Sequence, residues 1–225
     1  MKVNLLGYTM THDDDPVAVK KPDVQNLIAY CARVSNPSNQ NNSETSSKLL
    51  KYLIKNKHWS PFELASVVME IETTRDIARQ LLRHRSFSFQ EFSQRYADPT
   101  DDLSFEVREC RLQDEKNRQN SIDTTDLDLK IWWDAQQKFI IEHVQRIYKQ
   151  AIDKGIAKEQ ARVILPEGNT KSRLYVNGTI RSWIHYVELR SANGTQKEHM
   201  ELAIAIGKAI NKIFPLMEDF HAQQD

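Results

Sequence analysis

With 225 residues, 40% of them hydrophobic and 28% charged, the chain is long enough to bury a core without disulfides or structural metals. Thirty-one Lys and Arg balance thirty-one Asp and Glu, which argues against a protein that coats nucleic acid or a membrane surface, so any anion site must be a local concentration of charge. Cys31 and Cys110 form neither a disulfide framework nor a CxxC metal pair, the first residues lack the apolar stretch of a signal peptide, and no apolar run could span a bilayer; the expectation is one soluble, cytoplasmic domain over residues 1–225.

Val3 to Tyr8 is apolar and β-prone and stops at the acidic turn Asp13-Asp14-Asp15-Pro16. Asn36 to Ser47, rich in Asn and Ser, reads as a flexible loop leading into a helix from Ser47 to Asn56, with Leu49, Leu50, Leu53 and Ile54 on one stripe. After a turn at His58-Trp59-Ser60-Pro61-Phe62-Glu63, Val67, Met69 and Ile71 alternate with Val68, Glu70 and Glu72 as in a half-buried strand. Thr73 or Thr74 then caps a helix whose core face is Ile77, Ala78, Leu81 and Leu82. Leu103 to Cys110 reads as a strand, and Arg111 to Thr125 as a polar loop. From Asp126 to Lys154 apolar residues recur at helical spacing, Trp132, Trp133, Phe139, Ile140 and Tyr148 among them, until Gly155 stops the run; this longest helix is expected to be the spine of the core. A short helix from Ala157 to Ile164, a strand from Ser172 to Val176, an amphipathic helix around Ile180, Trp183, Ile184 and Val187, and a last helix from about Gln196 to Phe214 complete a mixed order without βαβα alternation.

Charge is concentrated between Arg75 and Arg95. Arg75, Arg79 and Arg83 lie four residues apart and would share a helix face opposite the core stripe, a spacing at which like charges repel unless an anion or acidic partners compensate. Three readings stay open: a solvated face with acids from elsewhere, a helix that binds nucleic acid, or a phosphate site. On a regular helix Arg83 and Arg85 diverge by about 200°, so both can face one ligand only if the helix ends near His84. The following loop would offer the hydroxyls of Ser86, Ser88 and Ser93 and the carboxylate of Glu91 beside the guanidinium forks, a set suited to a nucleotide or dinucleotide.

Arg83-His84-Arg85, followed after seven residues by Ser93, resembles the signature of the flavin-dependent thymidylate synthases. The similarity extends back through His58-Trp59-Ser60-Pro61-Phe62-Glu63 and Ala78-Arg79-Gln80, and forward through Arg95-Tyr96, Ala161 to Pro166, Arg181-Ser182 and Leu189-Arg190, so it spans most of the chain. The resemblance implies an α/β fold (α+β type) with a central antiparallel-rich sheet flanked by long helices. It also implies a homotetramer with active sites between subunits, and conversion of dUMP to dTMP with methylenetetrahydrofolate as carbon donor and FAD relaying hydride from NADPH. The six scattered glycines hold no Rossmann fingerprint, as expected for this family.

By the same resemblance Ser60, Arg83, His84, Arg85, Glu91, Thr179, Arg181 and His185 contact FAD, and Gln80, Arg83, Glu91, Ser93, Gln94, Arg95, Arg162 and Arg190 contact dUMP. Arg95 and Arg162 are the phosphate candidates. Arg190 is the implied catalytic residue, a fixed cation stabilising charge on the pyrimidine ring; read without the family it is equally a charge balancing a helix C-terminus. Arg181 and His185 are four apart and share a face, while His185 alone also reads as a surface histidine. Ser93, with no base placed by the local sequence, reads as a hydrogen-bond donor and not a nucleophile, and the two cysteines as small buried side chains. Where relatives carry a histidine shortly after Arg190, this chain has Ser191-Ala192-Asn193-Gly194-Thr195-Gln196, and His199 lies too far on to align. That departure motivates one alternative, a flavin- and nucleotide-binding relative without methyl transfer; the arginine helix motivates the other, a nucleic-acid-binding protein.

Overall fold

The computed structural model of the chain describes residues 1–11 and 23–220; the expected acidic turn at 13–16 lies outside them. Strand β1 (Lys2–Tyr8) is followed by helices α1 (Val24–Ala32) and α2 (Ser46–Lys55), strand β2 (Ser66–Thr74), helix α3 (Arg75–Leu81), strand β3 (Ser88–Glu91) and the short helix α4 (Pro99–Asp102). A hairpin of β4 (Arg111–Gln113) and β5 (Ser121–Asp123) leads to α5 (Leu127–Asp153) and α6 (Lys158–Ala161), and β6 (Lys171–Thr179), α7 (Ile180–Arg190) and α8 (Lys197–Asn211) close the order. Four strands form one antiparallel sheet in the order β1-β2-β6-β3. This is the antiparallel-rich α/β architecture that the family resemblance implied.

The expected alternation along β2 holds: Val67, Met69 and Ile71 are fully buried while Val68, Glu70 and Glu72 are not. The buried face packs against α7 and α8 through Ile180, Trp183, Ile184, Val187, Leu202, Ala203, Ile206 and Ile210. On the other face charge is neutralised within the sheet, where Glu70 pairs with Lys2 at 3.8 Å and Arg173 pairs with Glu72 at 2.6 Å.

Register sets up the site. Ser66 pairs with Thr179 and Thr74 with Lys171, so α3, which leaves β2, and α7, which leaves β6, begin at opposite ends of the same strand pair. Thr74 does start α3, but its hydroxyl bonds to Asp76 at 2.7 Å and caps no backbone amide.

Several expectations need correction. Helix α5 is not the spine of the core: Leu127, Ile131 and Phe139 are 70%, 68% and 66% exposed, and only Gln137 and Tyr148 are buried. Periodicity identifies an apolar face, but not which molecule covers it. Its end is as read: Gly155 at φ +82° follows the helix, its N–H bonding Ile152 O and that of Ile156 bonding Ala151 O, a Schellman closure that a Cβ would strain. Leu103 to Cys110 is not a strand; only Phe105 forms a bridge, to Thr170. The polar segment 111–125 forms the β4–β5 hairpin instead of a loop, and α1 escaped the sequence reading. The loop 36–47 is pinned by the buried Arg33, whose guanidinium donates to Asn42 O at 2.6 Å and Thr45 Oγ1 at 2.9 Å. Cys31 and Cys110 are half-buried, not buried.

Candidate functional site

Helix α3 ends at Leu81, so the chain leaves helical geometry before Arg83, as the divergence of Arg83 and Arg85 requires. The shared arginine face is therefore shorter than expected, with Arg83 outside the helix. Within it, Arg75 pairs with Glu91 at 3.6 Å and Arg79 with Glu167 at 2.7 Å. Acidic partners from elsewhere thus compensate these two arginines, which removes the motive for a nucleic-acid-reading helix. Arg83 and Arg85 are exposed and form no ion pair among the described residues.

The loop carrying them is anchored by Phe87. Its ring packs on Trp183 at 4.3 Å between centroids and lies over Gly178, where a Cβ would fall 2.2 Å from Phe87 Cδ1. Only glycine leaves this space in β6. The Ser182 hydroxyl donates to Ser86 O at 3.3 Å, a second tie between the loop and α7.

At the far end of α7, Arg190 Nε donates to His84 Nε2 at 3.0 Å. Burial, followed by the charges of Arg190 and Arg83, pushes the His84 pKa down to about 4. A neutral imidazole can accept this bond, and its remaining proton is then on Nδ1. Arg190 makes no ion pair among the described residues. Its charge is oriented without being neutralised.

Next to this pair lies a buried polar cluster. Gln80 donates from Nε2 to Gln196 Oε1 at 2.8 Å, and its Oε1 is 3.1 Å from Nδ1 of the fully buried His199, whose Nε2 is 3.1 Å from the Tyr186 hydroxyl. His199 lies on the same apolar stripe of α8 as Leu202, Ala203, Ile206 and Ile210. A histidine on such a stripe was the available signal for this cluster, and sequence reasoning missed it.

The other candidates form two groups. Near the start of α7, Thr179 caps the helix by accepting from Ser182 N at 3.3 Å, Arg181 pairs with Glu63, and His185 packs edge-on against Trp59 at 4.6 Å. Ser60 lies in the turn between Trp59 and Glu63, the residues that meet His185 and Arg181, and so belongs to this group. Burial, then Arg181, lowers the His185 pKa. The second group lies near the start of α3, where Gln94, Arg162, Arg75 and Arg79 line a cleft of about 350 Å³. Gln94 is 4% exposed, and its Nε2 has no partner, an orphaned donor that a ligand acceptor would satisfy. Glu91 accepts from Ser172 at 2.7 Å, the Ser93 hydroxyl accepts from Arg95 N at 3.4 Å, and Arg95 pairs with Glu159 at 3.4 Å. Among the described residues the candidates fall into separate clusters.

A sequence model of the family described as “Thymidylate synthase complementing protein” matches residues 17–216. The chain is 51% identical over 205 residues to “Probable flavin-dependent thymidylate synthase” of Paramecium bursaria Chlorella virus 1, covering 88% of this chain and 94% of that protein. The chain belongs to the flavin-dependent thymidylate synthase family. A second member, from Synechocystis sp., is 49% identical over 208 residues with the same coverage of 88% and 94%. Among solved structures, a UMP/dUMP methylase, PolB from Streptomyces cacaoi bound with 5-Br dUMP, superposes with a TM-score of 0.77 at 25% identity, covering 97% of this chain and 93% of that one. This fold match covers the sheet, the helices and the clusters described above.

The donor sets fit what such a family must hold. Arg83 and Arg85, free of carboxylate partners among the described residues, present guanidinium forks beside Ser86 and Ser88, the chemistry that binds a diphosphate. Among the described residues no helix is long and apolar enough to cross a membrane.

Proposed function

We propose that the protein methylates dUMP to dTMP, taking the carbon from methylenetetrahydrofolate, with FAD as cofactor and NADPH as reductant. The observation that carries this reading is the un-neutralised Arg190 guanidinium held at 3.0 Å by a neutral His84, within a chain of this family.

Arg83, His84, Arg85, Ser60, Glu91, Thr179, Arg181 and His185 are the residues that hold FAD. When bound, FAD supplies the redox step, passing reducing equivalents from NADPH to the transferred carbon. The remaining work belongs to the protein. Arg95 and Arg162 bind the nucleotide phosphate, with Gln94 and Ser93 supplying neutral hydrogen-bonding groups. Gln80 and Glu91 orient the nucleoside, and Arg83 contributes to both ligands. Arg190, a permanent cation, stabilises negative charge on the pyrimidine as C5 attacks the carbon donor; guanidinium keeps its proton, so it acts electrostatically and not as a base. The neutral His84 acceptor keeps that charge aimed without quenching it.

The separate clusters of one chain support an active site completed by other copies. Helix α5 supplies the matching surface: Ile131, Trp132, Phe139 and Ile140 are exposed in the single chain and form an apolar face beyond what a monomer leaves in water. We read this face as an interface of a homotetramer, acting in the cytoplasm.

The test is reconstitution. Titrating the purified protein with FAD should yield a saturable flavin complex, and adding dUMP should then perturb the flavin absorbance. Absence of either response would remove the assignment of these residues.

A further inference from the structure

The sense of the Gln80 side-chain amide is dictated from the Glu198 end of a partly buried chain of hydrogen bonds, and the Tyr186 end can match it. At one end Glu198 is ion-paired with Arg111 at 2.6 Å, so its carboxylate only accepts. Gln196 therefore donates to it from Nε2, at 3.0 Å, and must present Oε1 to Gln80. That forces Gln80 to donate from Nε2 to Gln196 and to turn its Oε1 toward His199. The imidazole then carries its proton on Nδ1 and accepts at Nε2. At the other end Tyr186 meets this demand, because burial raises its phenol above the ordinary value and it remains a donor. His199 itself stays neutral, since burial, then the charge of Arg190, pushes its pKa down to about 3. Each link of the chain then joins a donor to an acceptor, and reversing Gln80 would set two donors against each other on one side and two acceptors on the other.

Neither His199 nor Tyr186 belongs to the nucleotide-binding set proposed above. We propose that His199, held by Tyr186, is a positioning residue that fixes the orientation in which the Gln80 amide is offered to the uracil nucleotide. One amide hydrogen and one carbonyl lone pair of Gln80 remain for the ligand, and their order is set before the nucleotide arrives. The proposal rests on the reading of Gln80 as a dUMP contact, and it extends that reading to residues that cannot touch the substrate.

The experiment measures dUMP affinity by calorimetry on the FAD-loaded protein, together with KM and kcat, for Gln80→Ala, His199→Leu, His199→Asn and Tyr186→Phe. His199→Leu removes the donor to Gln80 and should weaken dUMP about tenfold, the value of one hydrogen bond that orients a contact. KM should rise while kcat changes little, because a contact made in both ground and transition states acts on binding. His199→Asn, whose amide nitrogen can occupy the Nδ1 position, should recover most of the loss. Tyr186→Phe, which frees the imidazole to adopt its other tautomer, should show a smaller loss of the same kind, and it carries the comparison if His199→Leu does not fold. Unchanged dUMP affinity in folded His199→Leu or in Tyr186→Phe, or an asparagine variant as weak as the leucine one, overturns the proposal while leaving Gln80 a contact. Unchanged affinity in Gln80→Ala overturns that reading of Gln80 and the proposal with it.

Discussion

At Gly178 the Phe87 ring leaves no room for a Cβ, and substituting this glycine tests how the arginine loop is held. An alanine Cβ there would lie 2.2 and 2.4 Å from Phe87 Cδ1 and Cε1 and 3.3 Å from Trp183 Nε1. Carbon atoms pack at about 3.5–4.0 Å, so the Phe87 ring must retreat by more than about 1 Å. It is only 8% exposed and rests on Trp183, with Tyr186 at 5.9 Å and His84 at 6.3 Å. Overpacking of this kind costs about 1–3 kcal/mol, against about 0.5–1 kcal/mol gained by replacing glycine within a strand; with a retreat of more than about 1 Å the cost lies toward the upper end, and the net loss is about 2 kcal/mol. Because the displaced ring belongs to the loop of Arg83 and Arg85, FAD affinity should fall together with stability. The assay is thermal unfolding at fixed protein concentration with a flavin titration, for Gly178→Ala, Phe87→Leu and the double variant. The smaller leucine should relieve the clash, giving a favourable coupling of about 1 kcal/mol or more in the cycle. Parental stability and flavin affinity in Gly178→Ala, or strict additivity in the cycle, would refute the packing argument.

Three further outcomes follow from the same geometry. His84 and His199 have folded pKa values of about 4 and about 3 against an ordinary 6.5. The unfolded chain therefore binds protons that the folded one refuses, and their contribution to stability is present above pH 6.5 and lost as pH falls toward 4, with a slope of up to about 1.4 kcal/mol per pH unit for each histidine. Unfolding measured across that window should show the slope, and His84→Gln should flatten it. Arg190→Ala should lower kcat by about 10²–10³-fold while leaving the thermal unfolding midpoint close to the parent, and Arg190→Lys should recover little, since an ammonium cannot hold the fork geometry. Phe139→Glu, placing charge on the exposed face of α5, should dissociate the assembly in sedimentation experiments while the circular dichroism of the chain persists; an unchanged sedimentation coefficient would remove α5 from the interface.

What was legible in the sequence divides by cause. The alternation of β2, the stripe of α7 and the glycine stop after α5 were readable because each is a local pattern with a local physical reason. So was a break near His84, although α3 ends earlier, at Leu81, since two arginines flanking a histidine cannot face one ligand from a helix. The direction in which an apolar face is buried was not readable: the α5 stripe has helical period whether it meets its own core or another molecule. Pairing was invisible as well. Nothing local announces that Arg75 and Arg79 meet Glu91 and Glu167, or that His199 lies beneath Gln80, because these contacts depend on the register of distant elements. The family motifs nominated the candidate residues, and only coordinates showed Arg190 resting on a neutral histidine.

The central claim is tested most directly by incubating the purified protein with dUMP, methylenetetrahydrofolate, NADPH and FAD and following dTMP by chromatography, with FAD omitted in one control and the folate in another. The account predicts dTMP that requires both and whose rate of formation falls by about 10²–10³-fold with Arg190→Ala. A protein that binds flavin and dUMP yet forms no dTMP would contradict it and identify a binding relative without methyl transfer.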